Sequence, residues 1–279
     1  MEEDFIETRE EIAPSREDEA VLSAMVSVPR GGSRHAVVLV HGLFGSGTAK
    51  GVVPALAAAL RARLVVCRVD LTGNGASGGA WRYSAYAREV ADIDRAVRHL
   101  RAAHGAETCA VVGHSKGATD VLLYAGRAYS DSAKAPEEAP VLSVPPSCVF
   151  VTLAAKAYFD RGEPKFSAEE LAACARDGAF DWAKFGRVWR ITQADLDERR
   201  ALHALLAAAL TRIAPARVLA LQGRADQFVT PDNADRIAAL CPSAETVFLD
   251  DCGHYFRGFE DQMCDIVSSW IFKNVSFCP

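Results

Sequence analysis

Apolar and polar positions along this chain repeat with two different periods. "HAVVLV", His35 to Val40, is an unbroken apolar run rich in β-branched residues. Such a run marks a strand buried on both faces, as in a parallel sheet. "RLVVCRVD", "CAVVG", "SCVFVTLA", "RVLALQG" and "ETVFLD" read as further strands. Between them the period lengthens. "GVVPALAAAL" suits a helix with Pro54 in its first turn. From Tyr83 to Ala103, the residues Tyr86, Val90, Ile93, Val97 and Leu100 fall on one helical stripe. "KGATDVLLYAGRAY", "PDNADRIAALC" and Glu260 to Phe272 are the remaining helices of this kind. Phe5 to Val28 alternates instead and is broken by "APSREDE", which predicts two edge strands joined by a turn. Strands alternating with helices predict an α/β fold, a mostly parallel sheet with helices on both faces.

Two segments interrupt the alternation. Ser130 to Pro146 is rich in Pro, Ala and acid and reads as a solvated surface loop. Ala155 to about Leu210 is helical in pattern and aromatic, and reads as a small helical cap over one end of the sheet. With 279 residues, half of them hydrophobic, the chain suits a single domain, 1–279, with the cap at about 155–210 inserted within it.

Charge narrows the partners. The 31 basic and 36 acidic residues give a net charge of -5, which offers no basic footprint for nucleic acid. No apolar run approaches the roughly 18 residues that span a bilayer. The acidic start, "MEEDFIETREE", resembles neither a signal peptide nor a transit peptide, so a cytoplasmic protein is expected. Asn274-Val275-Ser276 then spells a glycosylation sequon without the compartment that would use it. Nothing in the sequence sets an oligomeric state. Among the eight cysteines there is no C-x-x-C pair, and no His/Cys cluster has zinc spacing. Free thiols are expected, with no metal and no cofactor.

Candidate chemistry centres on G-x-S-x-G, which occurs twice, around Ser115 and around Ser77. Ser115 follows an apolar strand and opens a helix, the setting that exposes a serine hydroxyl above a sheet. Ser77 lies in the long glycine loop "DLTGNGASGGAW" and reads as a turn residue. A serine nucleophile needs a base and a group to orient that base. His254, in "LDDCGHYF", sits between the last strand and the last helix, at the same sheet edge as Ser115. Asp226 lies three residues beyond Gly223, where another strand stops. The catalytic candidates are therefore Ser115, Asp226 and His254, each just after a strand. His114 reads as a packed neighbour, and Asp250 and Asp251 as shapers of the turn before His254. For the oxyanion hole, "HGLFGSG" after the first central strand offers the Leu43 N–H, with Phe44 second, and the elbow offers the Lys116 N–H. His41 reads as a holder of that loop. No phosphate-binding G-x-x-x-x-G-K-[ST] is present.

Together, "HGLFGS", "DLTGNGASGG", "VVGHSKGA", "GRADQFVTP" and "DCGHYF" resemble the α/β-hydrolase family from about Ala36 to Ile271. They look most like its feruloyl/cinnamoyl-esterase branch and plant- and algal-type relatives. The resemblance implies an eight-stranded, mostly parallel sheet with a small lid, and ester hydrolysis through an acyl-enzyme. The family's nucleophile, acid and base fall on Ser115, Asp226 and His254, and its oxyanion N–H groups on Leu43 and Lys116. Lys116 and Ala118 depart from the usual pattern, and the Ser130–Pro146 loop is an addition. The Lys116 side chain either favours an acidic acyl group or points to solvent.

The expected substrate is a small-molecule carboxylic ester with a small-to-medium or aryl acyl group. Phe44, Phe159, Trp182 and Trp189 are the substrate-binding candidates, because ligand pockets are mostly apolar with few polar fixers. The same aromatics could instead pack the lid onto the sheet. Alternatives are a lysophospholipase or monoacylglycerol-lipase activity, and a hydrolase-fold receptor with little turnover.

Overall fold

The computed structural model describes residues 4–126, 143–161, 165–213 and 216–275. The acid- and Pro-rich stretch up to residue 142, and Ser276 of the sequon, lie outside the described residues. Eight strands form one sheet: β1 (Phe5–Ile12), β2 (Leu22–Pro29), β3 (His35–Val40), β4 (Val65–Val69), β5 (Glu107–His114), β6 (Val149–Leu153), β9 (Val218–Gly223) and β10 (Ala244–Leu249). Their order across the sheet is β1-β2-β4-β3-β5-β6-β9-β10. β2 runs antiparallel to both neighbours, and every pairing from β4 to β10 is parallel.

The continuous apolar runs are explained by two cores, one on each face. Along β3, Ala36, Val38 and Val40 face one core while Val37 and Leu39 face the other. The first core is closed by α2 (Tyr86–His104), α3 (Lys116–Ala125), α5 (Gln193–Arg212) and α6 (Asp232–Leu240). The second is closed by α1 (Val52–Leu60) and α7 (Glu260–Asn274). The stripe predicted on α2 is its buried face: Tyr86, Ile93, Val97 and Leu100 are each 2 % exposed or less. Gly105, in the left-handed region at φ 60°, ends that helix.

The segment between β6 and β9 is not helical throughout. It holds α4 (Ala168–Asp177) and α5, but a two-stranded hairpin, β7 (Ala179–Lys184) and β8 (Arg187–Thr192), stands between them. Here period-two alternation overrides the helical impression. Phe180, Trp182 and Ile191 turn inward while Asp181, Val188 and Arg190 stay out. Phe185 and Gly186 both have positive φ, 54° and 71°, the backbone of a two-residue hairpin turn. Ser167 and Thr192 each close a capping box at the start of the helices on either side. This segment has its own cluster, Phe166, Cys174, Phe180, Trp182, Ile191 and Leu196, packed with Tyr83, Leu43, Phe44, Trp81 and Trp189. No helix among the described residues is long and apolar enough to cross a membrane.

Candidate active site

Parallel neighbours share one carboxyl edge, so the loops after β5, β9 and β10 emerge together. Ser115 stands in the sharp turn from β5 to α3 with φ 56° and ψ -118°, a strained conformation for a residue with a Cβ. Small neighbours make the turn possible. A Cβ on Gly113 would come within 2.3 Å of the Gly117 carbonyl oxygen, and one on Gly117 within 2.3 Å of the His41 oxygen. The Ser115 N–H donates to Leu153 O on β6 at 2.8 Å, which pins the turn to the sheet.

The three side chains expected to meet do so. The Ser115 hydroxyl lies 2.9 Å from His254 Nε2, and His254 Nδ1 lies 2.7 Å from Asp226 Oδ2. Asp226 is oriented by more than the imidazole. Its Oδ1 accepts the N–H groups of Phe228 and Val229, both at 2.8 Å, and Gln222 Nε2 donates to Oδ2 at 3.3 Å. The carboxylate therefore fixes the Nδ1–H tautomer and leaves Nε2 free to accept from the serine. The loop bearing His254 is tied to the one bearing Asp226 by Ala225 N–H to Cys252 O at 2.9 Å.

Burial pushes the Asp226 carboxyl up, but the hydrogen bond and charge of His254 and the two backbone donors outweigh it. The carboxyl ends below its ordinary value. A depressed carboxyl stabilises the fold fully above the unfolded value, about 3.9, and the stabilisation is lost as pH falls through the folded value. In urea titrations across a pH series, the stability gap between wild type and Asp226→Ala should be constant above about pH 5 and shrink below about pH 4.

His114, beside the serine, packs its ring 5.1 Å from that of His254 and donates from Nε2 to the His254 carbonyl at 2.9 Å. Burial, with the His254 charge added, pushes its value down to about 4, so it is neutral across the ordinary range. His41 also holds a loop. Its Nδ1 donates to Gly42 O at 2.8 Å and its Nε2 accepts from Leu71 N–H at 3.1 Å. Gly45 N–H donates to Gly42 O at 3.0 Å, closing a turn with Leu43 and Phe44 at its centre. Phe44 takes φ 62° there, the position where a type II turn needs a left-handed residue. The turn runs against the elbow: a Cβ on Gly42 would come within 3.0 Å of Ser115 Cβ. Lys116 is the first residue of α3, so its N–H precedes the intrahelical ladder.

The Lys116 side chain takes neither of its expected courses. It turns into the protein, hydrogen-bonds Glu89, and lies 3.9 Å from Asp120; all three side chains are buried. Burial lowers its value to about 8, against the raising charge of Asp120. Ser77 is a structural serine: it donates to Asp70 O at 2.5 Å and accepts Ser23 N–H at 2.8 Å. The Cys252 thiol is pushed up to about 11 by burial and the Asp226 charge, which keeps it protonated. The seven cysteines among the described residues are free.

Of the substrate-binding candidates, the structure brings Phe44, Trp182 and Trp189 together. The Phe44 ring lies 4.6 Å from Trp189, 5.7 Å from Trp182, 5.5 Å from Phe185 and 5.4 Å from Trp81. Phe159 stands apart, buried in the α2–α3 core against Tyr86 at 6.1 Å. Three residues add to what the sequence pattern announces. Trp81 completes the Phe44 stack. Phe228 and Tyr255, 72 % and 46 % exposed, flank His254 at 5.3 and 5.0 Å and form the rim. Both rim residues lie in the quoted motifs "GRADQFVTP" and "DCGHYF", within two positions of the polar residues that make those motifs stand out.

A family model described as "Alpha/beta hydrolase family" matches residues 37–268. No curated protein matches the chain in sequence. Among solved structures, the chain is similar to Est1E from Butyrivibrio proteoclasticus bound to ferulic acid, with TM-score 0.72, 14% identity, and 95% of this chain and 98% of that one covered. The Pyrococcus furiosus esterase PF2001 has TM-score 0.67 at 18% identity, over 98% of this chain and 92% of that one. The alpha/beta hydrolase domain-containing protein 10 from mouse has TM-score 0.67 at 14% identity, over 95% and 99%.

Proposed function

The chain belongs to the alpha/beta hydrolase family, and from that premise we propose that it is a serine esterase cleaving carboxylic esters through an acyl-enzyme. The observation that carries this reading is the relay of two short contacts, 2.9 Å from Ser115 to His254 and 2.7 Å from His254 to Asp226. The Ser115 Oγ attacks the ester carbonyl as its proton passes to His254 Nε2. Asp226 stabilises the imidazolium so formed. The N–H groups of Leu43 and Lys116 receive the developing oxyanion, which is why the Gly42–Gly45 turn is held so firmly by His41. Collapse breaks the ester C–O bond, and His254 protonates the departing alcohol. His254 then deprotonates a water, which attacks the acyl-serine and releases the carboxylic acid.

In this reading residues 155–210 are a cap inserted into one domain, and its aromatic cluster supports a small-to-medium or aryl acyl group. The ferulic acid bound by Est1E supports including hydroxycinnamoyl esters among the substrates tested. Exposed Phe185 and Val188 on the hairpin, 70 % and 68 % accessible, favour adding monoacyl lipids as a second substrate class.

The test is a panel of p-nitrophenyl, hydroxycinnamoyl, monoacylglycerol and lysophospholipid esters, run beside labelling with a fluorophosphonate probe. Labelling at Ser115 with turnover of at least one ester class supports an esterase. A chain that binds esters but takes up no probe is a receptor, and the proposal fails. Within the panel, Phe44→Ala should lower kcat/KM for hydroxycinnamoyl esters by at least about tenfold, the scale of a lost apolar contact. The loss for p-nitrophenyl acetate should be smaller.

A further inference from the structure

A second group of convergent side chains lies away from Ser115. Glu10 is on β1, the outer strand; His99 and His104 are in the last two turns of α2. Glu10 Oε2 lies 2.6 Å from His99 Nε2 and 3.0 Å from His104 Nε2. The three ligand atoms fit within 4.8 Å of one another. The strands β2, β4 and β3 separate β1 from β5, which carries Ser115.

The supports are built in. Glu10 pairs with Ala24 in an unbroken β1–β2 register. The Thr8 hydroxyl donates to Glu10 Oε1 at 2.9 Å, so that oxygen is held and Oε2 is aimed between the imidazoles. A partner outside the ligand set that fixes a ligating carboxylate is a usual feature of metal sites. His104 is the last residue of α2, where the carbonyl end of the helix favours a cation. Each of the three side chains is under a fifth exposed, 17 to 19 %, so an ion can enter yet is sheltered from bulk water.

Donor chemistry selects the ion. Two imidazoles and one carboxylate suit zinc and its neighbours, whereas calcium and magnesium require mostly oxygen ligands. Zinc bonds of about 2.0–2.1 Å in a tetrahedron set ligand atoms about 3.3 Å apart. The two separations from Glu10, 2.6 and 3.0 Å, need sub-ångström widening to meet that, and the two histidine ligand atoms lie within 4.8 Å of one another. We propose that Glu10, His99 and His104 bind one divalent transition-metal ion of the zinc class, with water at the fourth position, and that the ion clamps β1 to α2. Binding needs a lone pair on each Nε2, so each ring coordinates as the neutral tautomer with its single proton on Nδ1, and any further proton goes to solvent.

Calorimetric titration of the full chain with zinc chloride under reducing conditions tests this. One equivalent should bind with micromolar or tighter affinity. At a zinc concentration about 100 times Kd, Tm should rise by about 5–10 °C. His99→Gln and Glu10→Gln should each weaken binding by at least about tenfold, while Ser115→Ala leaves it unchanged. Cobalt(II) in the unaltered protein should give a visible d–d spectrum without a thiolate charge-transfer band. No binding at millimolar zinc overturns the proposal, as does equal affinity in the variants, which places the ion elsewhere, or a thiolate band, which places it on cysteine.

Discussion

Ser115→Ala should lower kcat for any ester the protein turns over by about five to six orders of magnitude, and His254→Ala by a similar factor, with the double variant no worse than either alone. In the proposed mechanism the hydroxyl and the imidazole, 2.9 Å apart, act as one unit. A serine without its base keeps its proton, and a base without its serine has nothing to activate. Residual catalysis from the backbone donors should survive in both variants. Asp226→Asn should cost about four orders of magnitude, for a reason visible in its partners. Phe228 and Val229 N–H groups both donate to Oδ1, so the amide oxygen must take that place. The amide NH2 then faces His254 Nδ1, which has to become an acceptor. The proton moves to Nε2, and the ring can no longer accept from Ser115. Stopped-flow or steady-state kinetics on the best ester of the panel, with circular dichroism to establish folding, measures all three. Near-normal turnover in His254→Ala would sink the relay.

The second large effect is on stability. Lys116→Met should destabilise the fold by about 3–5 kcal/mol, the scale for removing one partner from a buried ion pair. Glu89 and Asp120 would be left in the core, their side chains 4 % and 0 % exposed. Among the described residues neither Asp120 oxygen has a hydrogen-bond partner. Burial already holds the Asp120 carboxyl above its ordinary value, so lowering the pH protonates it and removes the stranded charge. The penalty measured by urea unfolding should therefore be smaller in mildly acid than in mildly alkaline buffer. Lys116→Met/Glu89→Met should recover only the share of the loss due to Glu89, and the pH dependence that Asp120 imposes should remain. Turnover per folded molecule should persist in both, because only the backbone N–H at 116 is proposed to meet substrate.

The parallel sheet was legible in the chain because strands such as "HAVVLV" carry their burial in every residue, and both cores claim alternate positions of it. The convergence of Ser115, Asp226 and His254 was legible for a related reason: each lies within five residues of a strand's end, and parallel strands deliver such groups to one edge. The β7–β8 hairpin was missed although its alternation is a local strand signal, because it lies between two helical stretches. What else escaped depends on contacts that no local pattern encodes. The neighbours of Lys116 along the chain say nothing of its course, because its partner Glu89 lies 27 residues away on another helix. Glu10 escaped for the same reason: it stands 89 residues from His99, so no ligand spacing could announce it.

Phe44 has a double allegiance. Its backbone shapes the turn that carries Leu43, and its ring is stacked with Trp81 and Trp189. If, as proposed, these aromatics roof the site, swinging them aside to admit a guest would tug on the same turn and blur the aim of its N–H. Entry and readiness would then be mutually exclusive poses of one lever. A chain with that ring trimmed would open more freely and react less surely, a trade between breadth of diet and speed that falls on a single side chain.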